Sequence, residues 1–111
     1  MIFYLSVPYS IRSLESQAKA VLAAQKAAAK MMSFQEERAI PVSGIFTWYK
    51  NPEIHSKLTE EKDVYPFSKP LLDASKALVV VREPGWEYSD IVQQEAGYAH
   101  HTQKPIIYVD L

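Results

Sequence analysis

Apolar and polar positions along the chain alternate between strand-like runs and helix-like spacings. Ile2–Val7 is a short apolar run that predicts a first strand, ended by Pro8-Tyr9-Ser10. Ser13 or Ser10 then caps a long helix that runs to about Met32 through residues of high helix propensity. Leu14, Ala18, Val21, Leu22, Ala28 and Met32 mark its expected inner side. Ala39-Ile40-Pro41-Val42 predicts a second strand, and Pro41, which has no N–H to donate, predicts that this strand lies at an edge. Residues 43–66 mix aromatic and charged side chains without a clean period, and Phe46, Trp48 and Tyr49 either wall a pocket, pack beneath the loop or meet another subunit.

The second half is sharper. Ser68–Lys76 predicts a helix with Pro70 in its first turn, where the missing N–H costs little. Ala77-Leu78-Val79-Val80-Val81 is continuously apolar, as a strand buried on both faces must be. Arg82-Glu83-Pro84-Gly85 breaks it, and Ser89 caps a helix whose first-turn Asp90 suits the positive end of the dipole. Ile91, Val92, Ala96 and Ala99 recur at helical spacing, His100–Pro105 interrupts, and Ile106–Val109 predicts a last strand. Strands separated by helices imply a parallel sheet with right-handed crossovers, here one domain over residues 1–111. The expected architecture is α/β, a small flavodoxin/Rossmann-like three-layer fold of about four strands in the order 2-1-3-4. That order sets the ends of strands one and three side by side, bringing Pro8–Ser10 next to Trp86–Glu95.

Composition narrows the function classes. The net charge is −1 with no basic block, so the electrostatic footprint of a general nucleic-acid binder is missing. The chain has no Cys, which removes disulfides and thiolate metal sites. His100 and His101 are adjacent on a helix, so their side chains point roughly 100° apart and do not readily share an ion; no metal and no organic cofactor is expected. Met1–Leu5 is too short for a signal or membrane segment, which leads to the expectation of a soluble, cytoplasmic protein without membrane contact. The aromatic-rich middle and the Ala-rich helix suggest a homodimer or higher homo-oligomer.

Glu95 is the odd residue of the last helix. It follows Ile91 and precedes Ala99 by one turn each, and so shares part of the apolar face. Such a carboxylate is either at the edge of the buried stripe or held at a site. Ser89-Asp90-Ile91-Val92-Gln93-Gln94-Glu95 resembles the Ser-x-Gly-Val-x-x-Glu signature of the nucleoside 2-deoxyribosyltransferase-like family, which includes deoxynucleoside monophosphate N-glycosidases. Pro84-Gly85-Trp86 and Tyr4-Leu5-Ser6-Val7-Pro8-Tyr9-Ser10 resemble a bacterial branch of it, the latter through a Tyr-Leu-Ala-x-Pro-Tyr-Ser opening.

The resemblance implies an enzyme that cleaves the N-glycosidic bond of a nucleoside or its 5′-monophosphate, as glycosidase or deoxyribosyltransferase. Glu95 then takes the place of the catalytic carboxylate, and Tyr4 that of the tyrosine orienting it. Ser89 falls where nucleotide-specific members use Ser toward the 5′-phosphate, although a helix cap is the simpler role for it. Pro8, Tyr9 and Ser10 form the opposite lip of the substrate site, and Arg12 is the nearest cation, facing either phosphate or solvent. Trp86 either stacks on a base or packs against protein, and Tyr4 without such a role is a half-buried strand aromatic.

Some positions depart from the pattern. Ile91 replaces the usual Gly, and an Asp expected ahead of the third strand gives way to Ser68 or Lys76, with Asp73 and Asp63 as possible substitutes. A His expected after the second strand is missing from 43–49, and His55 comes several residues late. Those losses favour an alternative, a non-catalytic module of the same fold that binds a nucleotide or nucleotide-derived signal.

Overall fold

The computed structural model describes residues 1–34 and 40–111. Its strands β1 (Ile2–Ser6), β2 (Ile40–Val42), β3 (Ala77–Val81) and β4 (Ile106–Val109) form one all-parallel sheet in the order β2-β1-β3-β4. This is the three-layer, Rossmann-like α/β arrangement that the alternation of periods predicts. Ala39, the expected first residue of the second strand, lies outside the described residues. Pro41 sits on an edge strand as its missing donor requires.

Period-two alternation along β1 and β3 divides the interior. Phe3, Leu5, Val7, Ala77, Val79 and Val81 face one helical layer, made by α1 (Leu14–Phe34) and α2 (Gly44–Trp48). Tyr4, Leu78 and Val80 face the other, made by α4 (Tyr65–Ala74) and α5 (Asp90–His101), with the single turn of α3 (Pro52–His55) between α2 and α4 in the chain.

Ser13 is the cap of α1, its Oγ accepting from the Ser16 N–H at 3.1 Å. The buried side of α1 is not the expected one. Ala20, Ala23, Ala24, Ala27 and Met31 are buried with Gln17, while Ala18 and the large Leu14, Leu22 and Met32 are exposed. Small side chains line the sheet because the helix packs closely there, and the bulky apolar residues are left outside. Val21 and Ala28 pack at the border of that core.

The segment without clean period folds into short helices around Trp48, which is fully buried between the rings of Tyr9 (5.4 Å) and His55 (5.7 Å). Its aromatics thus divide, Trp48 completing the core and Phe46 remaining exposed. Helix α4 begins at Tyr65, earlier than expected, so Pro66 occupies the first turn and Pro70 lies inside the helix. Among the described residues, no helix is long and apolar enough to cross a membrane.

Candidate active site

Tyr4 and Ser6 stand on the same face of β1 because they are two residues apart in a strand. Helix α5 crosses that face and brings Glu95 against both. The Tyr4 hydroxyl donates to Glu95 Oε2, and Ser6 Oγ donates to Glu95 Oε1 at 2.7 Å. Ser68 of α4 lies 3.1 Å from the Tyr4 hydroxyl, and the Gly44 N–H at the start of α2 donates to that same oxygen at 3.1 Å. A Cβ at Gly44 would stand 3.1 Å from the Tyr4 hydroxyl, close enough that a neighbour must give by a few tenths of an ångström. Four elements therefore meet around one carboxyl group.

The cluster is sealed. Glu95 is 2% exposed, and Tyr4, Ser6 and Ser68 are fully buried. Burial pushes the Glu95 carboxyl up to about 7, against the opposing pull of the Ser68, Tyr4 and Ser6 hydroxyls, which stabilise its charged form. The Tyr4 phenol is raised well above its ordinary value, first by burial and then by the facing Glu95 charge. Near neutrality Glu95 thus exchanges a proton while Tyr4 stays a donor.

At the carboxyl ends of β1 and β3 the chain leaves a crevice. One lobe, of about 350 Å³, is lined by Pro8, Tyr9, Ser10, Ser16, Pro84, Gly85, Tyr88, Ser89 and Asp90. An adjoining lobe of about 400 Å³ shares Pro8, Ser16 and Pro84 and adds Lys19, Ala20 and Glu83. The turn at Gly85 has φ 92°, a left-handed conformation suited to glycine. Arg82 braces the loop from β3 by a two-pronged ion pair to Asp110 beyond β4, at 2.8 and 2.7 Å.

Pro8, Tyr9, Ser10 and Ser89 are accordingly assembled in one crevice, while Tyr4 and Glu95 are not part of its lining. Ser89 also caps α5, accepting from the Val92 N–H at 3.3 Å. Asp90 adds a carboxylate to the same rim. Trp86 packs beside the Tyr4–Leu78 core with its ring 5.7 Å from Tyr108, and Arg12 is exposed, its N–H bound to Ser10 Oγ at 3.2 Å. Neither side chain lines the crevice lobes.

The suggested acidic substitutes lie elsewhere: Asp73 accepts from Tyr98 on the outer surface, and Asp63 caps a turn by accepting from Thr59 and Glu60. His55 packs on Trp48 rather than near Glu95. Ser68 is the residue that reaches the cluster. Ser6 escaped the sequence reading although its spacing from Tyr4 exposes it; the resembled opening carries Ala there. A separate depression of about 440 Å³, lined by Lys62, Tyr65, Gln94, Tyr98 and His101, flanks α5 away from these residues. Among the described residues, no group of three or more His, Asp or Glu is placed to hold a metal ion.

The family model described as a domain of unknown function, DUF1937, matches residues 1–110. No curated protein matches the chain.

Proposed function

The chain belongs to the DUF1937 family, and we propose that it cleaves the N-glycosidic bond of a (deoxy)nucleoside 5′-monophosphate or nucleoside, as an N-glycosidase or deoxyribosyltransferase. The observation that carries this reading is the Tyr4–Glu95 pair, a buried carboxyl held by a phenol on the strand whose carboxyl end leads into the crevice. Open α/β sheets bind their ligands at that end.

Spacing along α5 supports a nucleotide. Ser89 at the crevice rim and Glu95 are six residues apart, about 9 Å along the helix axis. A nucleoside monophosphate with one contact at its phosphate and one at its anomeric carbon spans a comparable length. The Ser89 hydroxyl and the first N–H groups of α5 receive the phosphate. The ionised Glu95 carboxylate then adds to the anomeric carbon as the C–N electron pair departs with the base, which takes up a proton. Water, or a second base, displaces the carboxylate from the sugar in the second step. The chemistry needs no metal and no organic cofactor.

Base release from a panel of nucleosides and 5′-nucleotides, followed by chromatography, tests the reading. Release that disappears in Glu95→Ala supports it, and equal release by wild type and Glu95→Ala excludes it.

One observation favours the second reading, a non-catalytic module that binds a nucleotide or nucleotide-derived signal. Glu95 is 2% exposed and both of its oxygens are already bonded. That reading expects a thermal shift with nucleotide and no base release. In either case we place the protein in the cytoplasm as a homodimer or larger assembly. The exposed Leu14, Leu22 and Met32 of α1 supply apolar surface for self-association, which sedimentation measures.

A further inference from the structure

The two edges of the sheet end differently. In β2 the Ile40 N–H donates inward to Met1 O at 2.7 Å, so the alternation of a strand turns the main chain of Pro41 outward. Proline has no N–H, and the edge between Ile40 and Val42 therefore presents no donor. In β4, Pro105 O and Val109 O accept from the Leu78 and Arg82 N–H groups. The same alternation turns the N–H and C=O of both Ile106 and Tyr108 away from β3. The described sheet ends at β4. Within Ile106–Val109 there is neither charge nor proline, and Ile107 and Tyr108 are 44% and 49% exposed. An edge so made is a template for another strand.

We propose that β4 is the contact through which the protein self-associates, pairing antiparallel with β4 of a second copy about a two-fold axis so that the two sheets become one. The inference rests on the homo-oligomeric reading above, is independent of the glycosidase chemistry, and uses the sheet edge instead of α1.

The edge is self-complementary in one register. A two-fold antiparallel pair matches outward residues with outward residues, which leaves the axis at Ile106, Ile107 or Tyr108. With the axis at Ile107, Lys104 stands opposite Asp110 of the second copy, and Ile106 opposite its Tyr108. An axis at Tyr108 sets the Asp110 carboxylate against Ile106, and one at Ile106 sets Lys104 against Tyr108. Only the first matches opposite charges.

In that register Ile106 and Tyr108 of opposite copies exchange both of their main-chain hydrogen bonds, and the Ile107 side chains meet at the axis. The ladder stops there, because the Lys104 N–H already donates to Ala99 O at 2.8 Å. Lys104 and Asp110 keep their own partners, Ser75 O and Arg82, so their opposition adds attraction at the rim. The Tyr108 ring is held in advance, 5.7 Å from the Trp86 ring and 5.6 Å from the Arg82 guanidinium, so little side-chain freedom is lost on pairing. Pro41 withholds a full ladder from β4 of a third copy, and the pair closes as a dimer.

Sedimentation from about 1 μM to about 1 mM protein, with amide hydrogen exchange at both ends of that range, tests the pairing. The expected result is a concentration-dependent dimer whose Ile106 and Tyr108 amides exchange faster on dilution, while the Val109 amide, turned toward β3 in each copy, is unchanged. Tyr108→Pro removes an N–H that the protein's own sheet does not use, and is expected to weaken the dimer about 100-fold. Tyr108→Ala, which keeps that N–H, weakens it less. Ile107→Lys sets like charges at the axis and weakens it at least about tenfold. If Tyr108→Pro does not fold, Ile107→Lys and the exchange pattern decide. A dimer that these variants leave at the wild-type dissociation constant, or whose Ile106 and Tyr108 amides ignore dilution, overturns the β4 contact alone, and its loss in Leu22→Glu would move the contact to α1. Wild type that stays monomeric throughout overturns this inference and the homo-oligomeric reading together, and leaves the glycosidase reading to base release.

Discussion

The two faces of the sheet are built on opposite principles. The face covered by α1 and α2 is dry: Phe3, Leu5, Val7, Val79 and Val81 meet alanines and Trp48, with no ionisable group of the strands among them. The face covered by α4 and α5 carries a smaller apolar cluster of Tyr4, Leu72, Leu78, Val80, Val92 and Ala99, and into it are set Ser6, Ser68 and Glu95. A buried carboxyl is costly to ionise even when hydroxyls surround it, and an apolar residue of similar volume would serve packing as well or better. The larger apolar cluster lies on the first face, and the proposed chemistry on the second.

Four substitutions break or sharpen that contrast. The largest effect is expected from Glu95→Ala, which lowers base release at least about 10³-fold, read as kcat/KM on the best nucleotide of the panel. Next is Leu5→Ala on the dry face, expected to cost about 3 kcal/mol in urea unfolding, equally at pH 5 and pH 8. If its effect depends on pH, the two faces are coupled and the contrast fails.

The face that holds Glu95 is expected to respond to pH. The Glu95 pKa is about 7 in the fold against 4.5 for an ordinary glutamate, so the folded state binds more protons between those values. The Glu95 contribution to stability is therefore full below about pH 4.5 and is lost as pH rises through 7, by up to about 3 kcal/mol as an order of magnitude. Glu95→Gln, which cannot ionise, is expected to flatten that decline in denaturant titrations at pH 5, 6, 7 and 8. Parallel curves for the two proteins would show that Glu95 ionises without strain.

The smallest effect is expected from Gly44→Ala. Its Cβ would press on the Tyr4 hydroxyl from 3.1 Å, costing about 1 kcal/mol and displacing Tyr4 from Glu95. A crystal structure of the variant with Tyr4 unmoved would mean that α2, rather than the phenol, gives way.

How much of this was legible in the sequence follows from which signals are local. The strands and their order came from short apolar runs separated by helical spacing, and Pro41 marked its own edge. Glu95 stood out because a carboxylate on an apolar helical stripe breaks a pattern. Its meeting with Tyr4 rested on a resemblance, since 91 residues separate them. Ser68 could be seen only as a position where an expected acid was missing. Its arrival beside Tyr4 depends on how α4 docks, and no local pattern encodes that. The inner side of α1 was misread because large apolar residues were weighted above small ones, whereas close packing selects alanine. Trp86 packs beside the Tyr4–Leu78 core and Arg12 is exposed, so neither lines the crevice lobes.

The alanines of α1 have a consequence for what the crevice admits. Ala20 is buried at 2% exposure against the sheet and also forms part of the lining of the second lobe. The width of that lobe is thus set in part by a methyl group of the core, facing the loop residues Pro8, Glu83 and Pro84. A residue one or two carbons larger at position 20 would narrow the aperture from inside while leaving every hydrogen-bonding group of the site in place. The lobe's lining and the buried carboxyl are thus separately adjustable in this fold, the first at an alanine on one side of the sheet and the second at Glu95 on the other.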